Sequence, residues 1–178
     1  MATSTALVTV EVFRQLTDPP GIRLELHNGE VVQVTRPIHK HFKIQKRLTR
    51  ILNEALGDRG EASYELAFRA RPEHELRVAD VGWTTRERYE NIDDEDSLAG
   101  APEIVVEVLS PSNTASEMIV KRDLCLSSGC EQFWIVDPVR RFIEISLAHG
   151  STHVYRGDDK VALGVAFYSV DDLLGRSR

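Results

Sequence analysis

Near the middle of the chain, Glu103-Ile104-Val105-Val106-Glu107-Val108-Leu109 forms an almost unbroken apolar run with a carboxylate inside it. Such a run reads as a strand covered on both faces, at the centre of an α/β sheet. Alternate residues of a strand share a face, so Glu103, Val105, Glu107 and Leu109 project together. Glu107 therefore sits where the strand is most enclosed. A carboxylate taken out of water must be ion-paired, hydrogen-bonded, protonated or bound to a metal. On this residue alone a buried salt bridge and a metal site are both open readings.

Asp80 repeats the pattern in Val78-Ala79-Asp80-Val81-Gly82-Trp83. Two carboxylates on successive buried strands are harder to accommodate without a cation, and hard divalent ions favour carboxylate oxygens and water. Lys121 lies on the helix expected after the Glu107 strand, where Ala115, Met118, Cys125 and Leu126 mark the apolar face. It falls on the flank of that face, a position from which lysines ordinarily snorkel to solvent but from which this one could also reach the preceding strand. Arg122 projects nearer the middle of the stripe, which amphipathicity does not explain. Glu25, in Arg23-Leu24-Glu25-Leu26, is either an ordinary strand-face glutamate or a further acid of the same site. His41 opens the longest helix, where an imidazole can cap backbone donors or bind phosphate; capping is the expected role.

The rest of the pattern places these residues in a mixed sheet. Thr9 caps a short helix to Leu16, stopped by Asp18-Pro19-Pro20-Gly21. Strands are expected at Ile22–Leu26 and Glu30–Val34 around His27-Asn28-Gly29, because Asn-Gly between alternating apolar runs is a strong hairpin signal. His39–Leu56 has helical apolar spacing and ends at Gly57. Strands follow at Ala62–Arg71 and Leu76–Trp83. Arg86–Gly100, with Asp93, Asp94, Glu95 and Asp96 in a row, lacks the alternating ligands of a calcium loop and reads as a solvated surface segment. After the Glu107 strand come a helix from Thr114 to Ser127, strands at Gln132–Val136, Phe142–Leu147, His153–Arg156 and Val161–Phe167, and a short helix at Val170–Leu174. A helix between two buried strands implies a parallel crossover. The expectation is one α/β (α+β) domain over 1–178, with a core at about 8–147 and C-terminal strands and a short helix at 150–174.

Other chemistries find no support. There is no glycine-rich phosphate loop, no GxSxG elbow and no HExxH, and Ser110-Pro111-Ser112 has no partner order for a triad. Cys125 and Cys130 lack zinc spacing and read as free core thiols. The sequence has no apolar run long enough for a membrane span and no signal-peptide pattern, so a cytoplasmic protein is expected. The net charge of −6 argues against a generic nucleic-acid coat. A local basic strip, Lys40, Lys43, Lys46, Arg47 and Arg50, could still face phosphates or simply be a solvated helix face.

Several stretches, in order and spacing, resemble the Uma-two family of restriction endonucleases, placed in the PD-(D/E)XK nuclease superfamily. They are Arg23-Leu24-Glu25-Leu26-His27-Asn28-Gly29-Glu30, His41, Asp80, Ala101-Pro102-Glu103-Ile104-Val105-Val106-Glu107-Val108-Leu109-Ser110-Pro111-Ser112-Asn113, Lys121, and Gly129 with Glu131-Gln132-Phe133-Trp134-Ile135-Val136-Asp137-Pro138. The resemblance implies a restriction-endonuclease-like mixed sheet flanked by helices. It also implies Asp80 and Glu107 as ligands of Mg or Mn, and Lys121 as the catalytic lysine, moved from the position of Leu109 to the helix. Glu25, and with it His41, would be additional site residues. Ala79 replaces the family's proline before the aspartate, Glu117 an aspartate and Cys125 a tyrosine. The implied activity is metal-dependent hydrolysis of DNA, by a homodimer. The alternatives are a non-catalytic nucleic-acid- or protein-binding module on the same fold, and a different metal-dependent phosphoryl hydrolase.

Overall fold

The computed structural model describes residues 7–35, 39–93, 96–111 and 113–175. Helix α1 (Val10–Phe13) is capped by the Thr9 side chain and leads into the hairpin β1 (Ile22–His27) and β2 (Glu30–Thr35). Both turn residues, Asn28 and Gly29, have positive φ (48° and 81°), the requirement of a two-residue turn whose twist matches its strands. Helix α2 (His39–Leu56) ends in a 3₁₀ turn, and β3 (Gly60–Arg69) and β4 (Arg77–Thr85) follow. Then come α3 (Arg86–Glu90), β5 (Leu98–Ala99), β6 (Ile104–Val108) and α4 (Ala115–Leu126). The chain continues through β7 (Gln132–Asp137), β8 (Phe142–Leu147), β9 (Thr152–Arg156), the hairpin β10 (Lys160–Leu163) and β11 (Ala166–Ser169), and α5 (Val170–Leu174).

Seven strands form one mixed sheet in the order β5-β3-β4-β6-β7-β8-β9. The β6–α4–β7 unit is the expected parallel crossover, Ile104 pairing with Gln132 and Val108 with Val136. Helices cover both faces. On one, α2 and α5 enclose Leu48, Leu52, Val81, Val106, Trp134 and Ile143. On the other, α4 packs Leu124 and Cys125 on Val105, Phe133 and Phe68. All five β6 residues are buried because the strand feeds both cores. A large aliphatic or aromatic side chain so enclosed contributes about 1.5–3 kcal/mol. Both cysteines are buried and free.

Two expectations change. Arg86–Gly100 is not simply a solvated segment: it forms α3 and β5, Leu98 is buried, and Asp96 pairs with Arg69 at 2.7 Å and with Arg14. Asp94 and Glu95 lie outside the described residues. The single strand expected at Val161–Phe167 is a hairpin, because Gly164 has φ +59° and turns the chain. Strands β3 and β4 each serve both cores. Ala62 and Phe68, an even number of residues apart, serve opposite cores, as do Val81 and Ala79. The change of face coincides with Glu65, whose φ of 55° interrupts the β3/β4 register opposite Asp80. Among the described residues no helix is long and apolar enough to cross a membrane.

Candidate active site

The antiparallel β4/β6 ladder ends at Val81↔Val106. One step further in the same register, Asp80 stands opposite Glu107. There the β4 backbone no longer takes the next β6 donor, and the Asp80 carboxylate does: Val108 N–H donates to Oδ2 at 2.8 Å. The parting of two central strands opens the sheet, so groups from both helical layers meet. From α2, His41 Nε2 lies 3.0 Å from Asp80 Oδ2, and Gln45 Nε2 donates to Oδ1 at 3.0 Å. From α4, Lys121 Nζ lies 2.8 Å from Glu107 Oε1 and donates to the Val78 carbonyl at 2.8 Å.

The β1–β2 hairpin closes the third side. Buried Glu25 accepts from Arg23 at 3.1 Å and contacts His27 Nε2 at 3.0 Å. Arg23 also pairs with Glu65, which accepts a second bond from Gln45 at 3.1 Å. These groups surround a cavity of about 590 Å³ lined by Arg23, Glu25, His41, Asp80, Glu107 and Lys121. The five residues singled out in the sequence thus share one cavity.

Burial drives the Glu107 carboxyl up to about 7; the Lys121 charge opposes this and the Asp80 charge adds to it. Burial also works against Glu25, but the His27 hydrogen bond and the Lys121 and Arg23 charges overcome it and hold the group at about 2. The Asp80 carboxyl is lowered despite burial, chiefly by His41, and His41 is raised in return by Asp80 and Glu107. Burial would lower Lys121, yet the charges of Glu107, Glu25 and Asp80 raise it. The Lys121–Glu107 contact is close but misaligned: Oε1 is buried without a hydrogen bond of acceptable geometry. His41 Nε2 is likewise a charge contact to Asp80 rather than an aligned hydrogen bond.

Two residues depart from the ordinary alternative that the sequence left open beside a place in the site. Lys121 does not snorkel; it is 9% exposed, with its ammonium inside the protein. His41 reaches across to Asp80 instead of capping its own helix. Arg122 is only half-buried and pairs with neighbouring Asp123. Sequence reasoning missed Gln45 and Glu65. Gln45 left a readable signal, a polar residue at an apolar position between Ile44 and Leu48, where it is fully buried. Glu65 left none, because Glu61, Ser63 and Glu65 alternate as a solvated strand face would.

A mixed sheet flanked by helices, with two opposed carboxylates at a break in its centre, defines a restriction-endonuclease-like α/β fold. The crystal structure from Anabaena variabilis described as "a putative nuclease belonging to DUF820" is similar to this chain, with a TM-score of 0.79 and 21% identity, over 94% of this chain and 97% of that one. The model of the Uma2 family, described as "Putative restriction endonuclease", matches residues 10–167, and the chain belongs to that family. No curated protein matches it.

Proposed function

We propose that the chain is a metal-dependent endonuclease hydrolysing DNA phosphodiester bonds, with Asp80 and Glu107 as ligands of a Mg or Mn ion and Lys121 beside them. The observation carrying this reading is the meeting of two carboxylates, buried Glu107 and half-buried Asp80, opposite each other where the β4/β6 ladder stops, on an open cavity. Like charges opposite one another across strands repel, and a divalent cation removes that repulsion. The donor set fits. Asp80 Oδ1 takes one bond, from Gln45, and keeps a lone pair; Glu107 Oε1 lacks an aligned donor. Among the described residues no three His, Cys, Asp or Glu side chains could cage an ion. Magnesium commonly takes only one or two protein carboxylates and completes its shell with water and phosphate oxygens.

When bound, the ion would lower the pKa of a coordinated water and offset charge growing on the phosphate. Hydrolysis joins the water oxygen to phosphorus as the ester P–O bond breaks; the water loses a proton and the leaving oxygen gains one. Lys121, fixed by Glu107 and the Val78 carbonyl, directs a positive charge at the reacting phosphate without reorganisation. His41 and Gln45 hold the Asp80 carboxylate ionised and oriented, and Glu25 with Arg23 keeps the hairpin wall charged and in place. For cleavage of both strands of a duplex two centres are used, and the active species for that reaction is a homodimer; light scattering that returns only monomer removes that part.

A second reading rests on a specific observation: Lys121 already pairs with Glu107, and His41 and Gln45 with Asp80, so the charges are compensated as in a non-catalytic binding module. Calorimetric titration of Mn or Mg into wild type and Glu107→Ala, with cleavage of supercoiled plasmid, separates the two. Binding and nicking lost together in the variant support the nuclease. A wild type that binds no metal selects the module.

A further inference from the structure

Helix α2 brings His41 from its first turn to the candidate cavity, and its opposite, exposed face is unlike the rest of this acidic chain. The helix carries Lys40, Lys43, Lys46, Arg47 and Arg50, all exposed, against a single acid, Glu54. Lys43, Lys46 and Arg50 are spaced three and four apart, which sets neighbours on one helix surface about 5–6 Å apart. Arg50 is tied to Glu54 at 2.7 Å, an exposed pair of the kind easily exchanged for another anion.

Beside this stripe is an aromatic step. Phe42 and Tyr64 meet edge to face with centroids 5.4 Å apart, and Lys46 Nζ is 5.7 Å from the Phe42 ring. Tyr64 remains 45% exposed. This step is close to the reaction centre in the chain: Tyr64 precedes Glu65, which shares the Gln45 amide with Asp80, and Phe42 follows His41, which touches Asp80. Aromatic faces beside a row of cations are the elements that bind unpaired nucleotides, bases stacking while phosphates pair with lysine.

We propose that the α2 face and Tyr64 form a track that delivers a nucleic-acid strand with an unpaired base to the Asp80–Glu107 cavity, phosphates on Lys43, Lys46 and Arg50 and a base on Tyr64. The proposal rests on reading that cavity as a nuclease centre. It deepens that reading by naming a strand with single-stranded character as the substrate. Neutral polymers and acidic proteins lack one of the two features, the charge in the first case and stacking bases in the second.

The test is fluorescence anisotropy in EDTA, so that binding is measured apart from cleavage, with a labelled mixed-sequence oligonucleotide as single strand and as duplex. The exposed substitutions K43Q/K46Q/R50Q should leave the circular dichroism native. They should weaken single-strand binding more than about tenfold and make its salt dependence shallower by about 2 in log–log slope, as expected for three lost phosphate contacts. Tyr64→Ala should weaken the single strand about fivefold or more while sparing the duplex. Wild-type affinity and slope in the charge variant overturn the track. An equal loss for duplex and single strand in Tyr64→Ala overturns the unpaired base. Plasmid nicking keeps the two readings apart. If wild type nicks, Glu107→Ala does not, and the charge variant binds like wild type, the nuclease stands and the track falls. If wild type with Mg or Mn cleaves neither plasmid nor the single-stranded oligonucleotide but the charge variant loses binding, the nuclease falls and the track stands.

Discussion

Two buried carboxylate–cation pairs lie on neighbouring parts of this molecule and are built differently. In Glu75–Arg77 both oxygens are satisfied: Oε2 accepts from Arg77 Nε at 2.8 Å and Oε1 accepts from Asn28 N–H at 2.9 Å. That pair pins the β1–β2 turn to the segment entering β4. In Glu107–Lys121 the separation is the same 2.8 Å, yet Oε1 has no aligned donor, the carboxyl is pushed up to about 7, and both residues line the cavity, which of the first pair only Arg77 reaches. A buried charge with every lone pair used is structural. One held near a cation but short of partners retains capacity for a ligand, and its cost is tolerated where the sheet opens.

The largest test of that contrast is Glu107→Ala. It should abolish plasmid cleavage and calorimetric metal binding while far-ultraviolet circular dichroism stays native. Lys121→Ala leaves Glu107 buried and uncompensated, which costs about 3–5 kcal/mol. In thermal melts, added Mg should recover more stability in this variant than in wild type, because the ion replaces the missing charge. Glu75→Ala strands Arg77 in the same way, at a similar cost of about 3–5 kcal/mol, but Mg should rescue none of it.

The pH response sharpens the comparison. Glu107 holds its proton more tightly folded, at about 7, than its ordinary 4.5, so its contribution is present at low pH and lost as pH rises between these values. Glu25 runs the other way: at about 2 against 4.5, its contribution is present above 4.5 and lost as pH falls towards 2. Metal-free melts across pH should show both slopes, with Glu107→Gln flattening the upper window and Glu25→Gln the lower. The smallest effect is at the foot of α4. Thr114 accepts from Glu117 N–H and Glu117 returns the bond, so Thr114→Ala should cost about 1 kcal/mol in urea unfolding. Because α4 carries Lys121, nicking should fall slightly as well.

Much was legible locally. The Asn28-Gly29 turn, the apolar spacing of α2, the β6–α4–β7 crossover and the carboxylates isolated in apolar strands each announce themselves within a few residues, because turn dihedrals, helical period and the cost of burying charge act at short range. Val161–Phe167 failed on Gly164, whose left-handed backbone looks in sequence like any glycine inside a strand.

The rest was decided in three dimensions. That Asp80 and Glu107 come opposite each other depends on where the β4/β6 ladder ends, and that end is set by packing between strands distant in the chain. Lys121 lies on the flank of a helix by periodicity; its burial follows from which strands α4 covers. Glu65 became part of the site through a backbone twist that no alternation pattern records, and Gln45 found its two acceptors only after α2 docked. The sequence alone determined which residues could not remain ordinary once buried, because desolvation is a property of the residue and its neighbours. Tertiary structure alone decided which of them meet, because that depends on register and docking across the sheet.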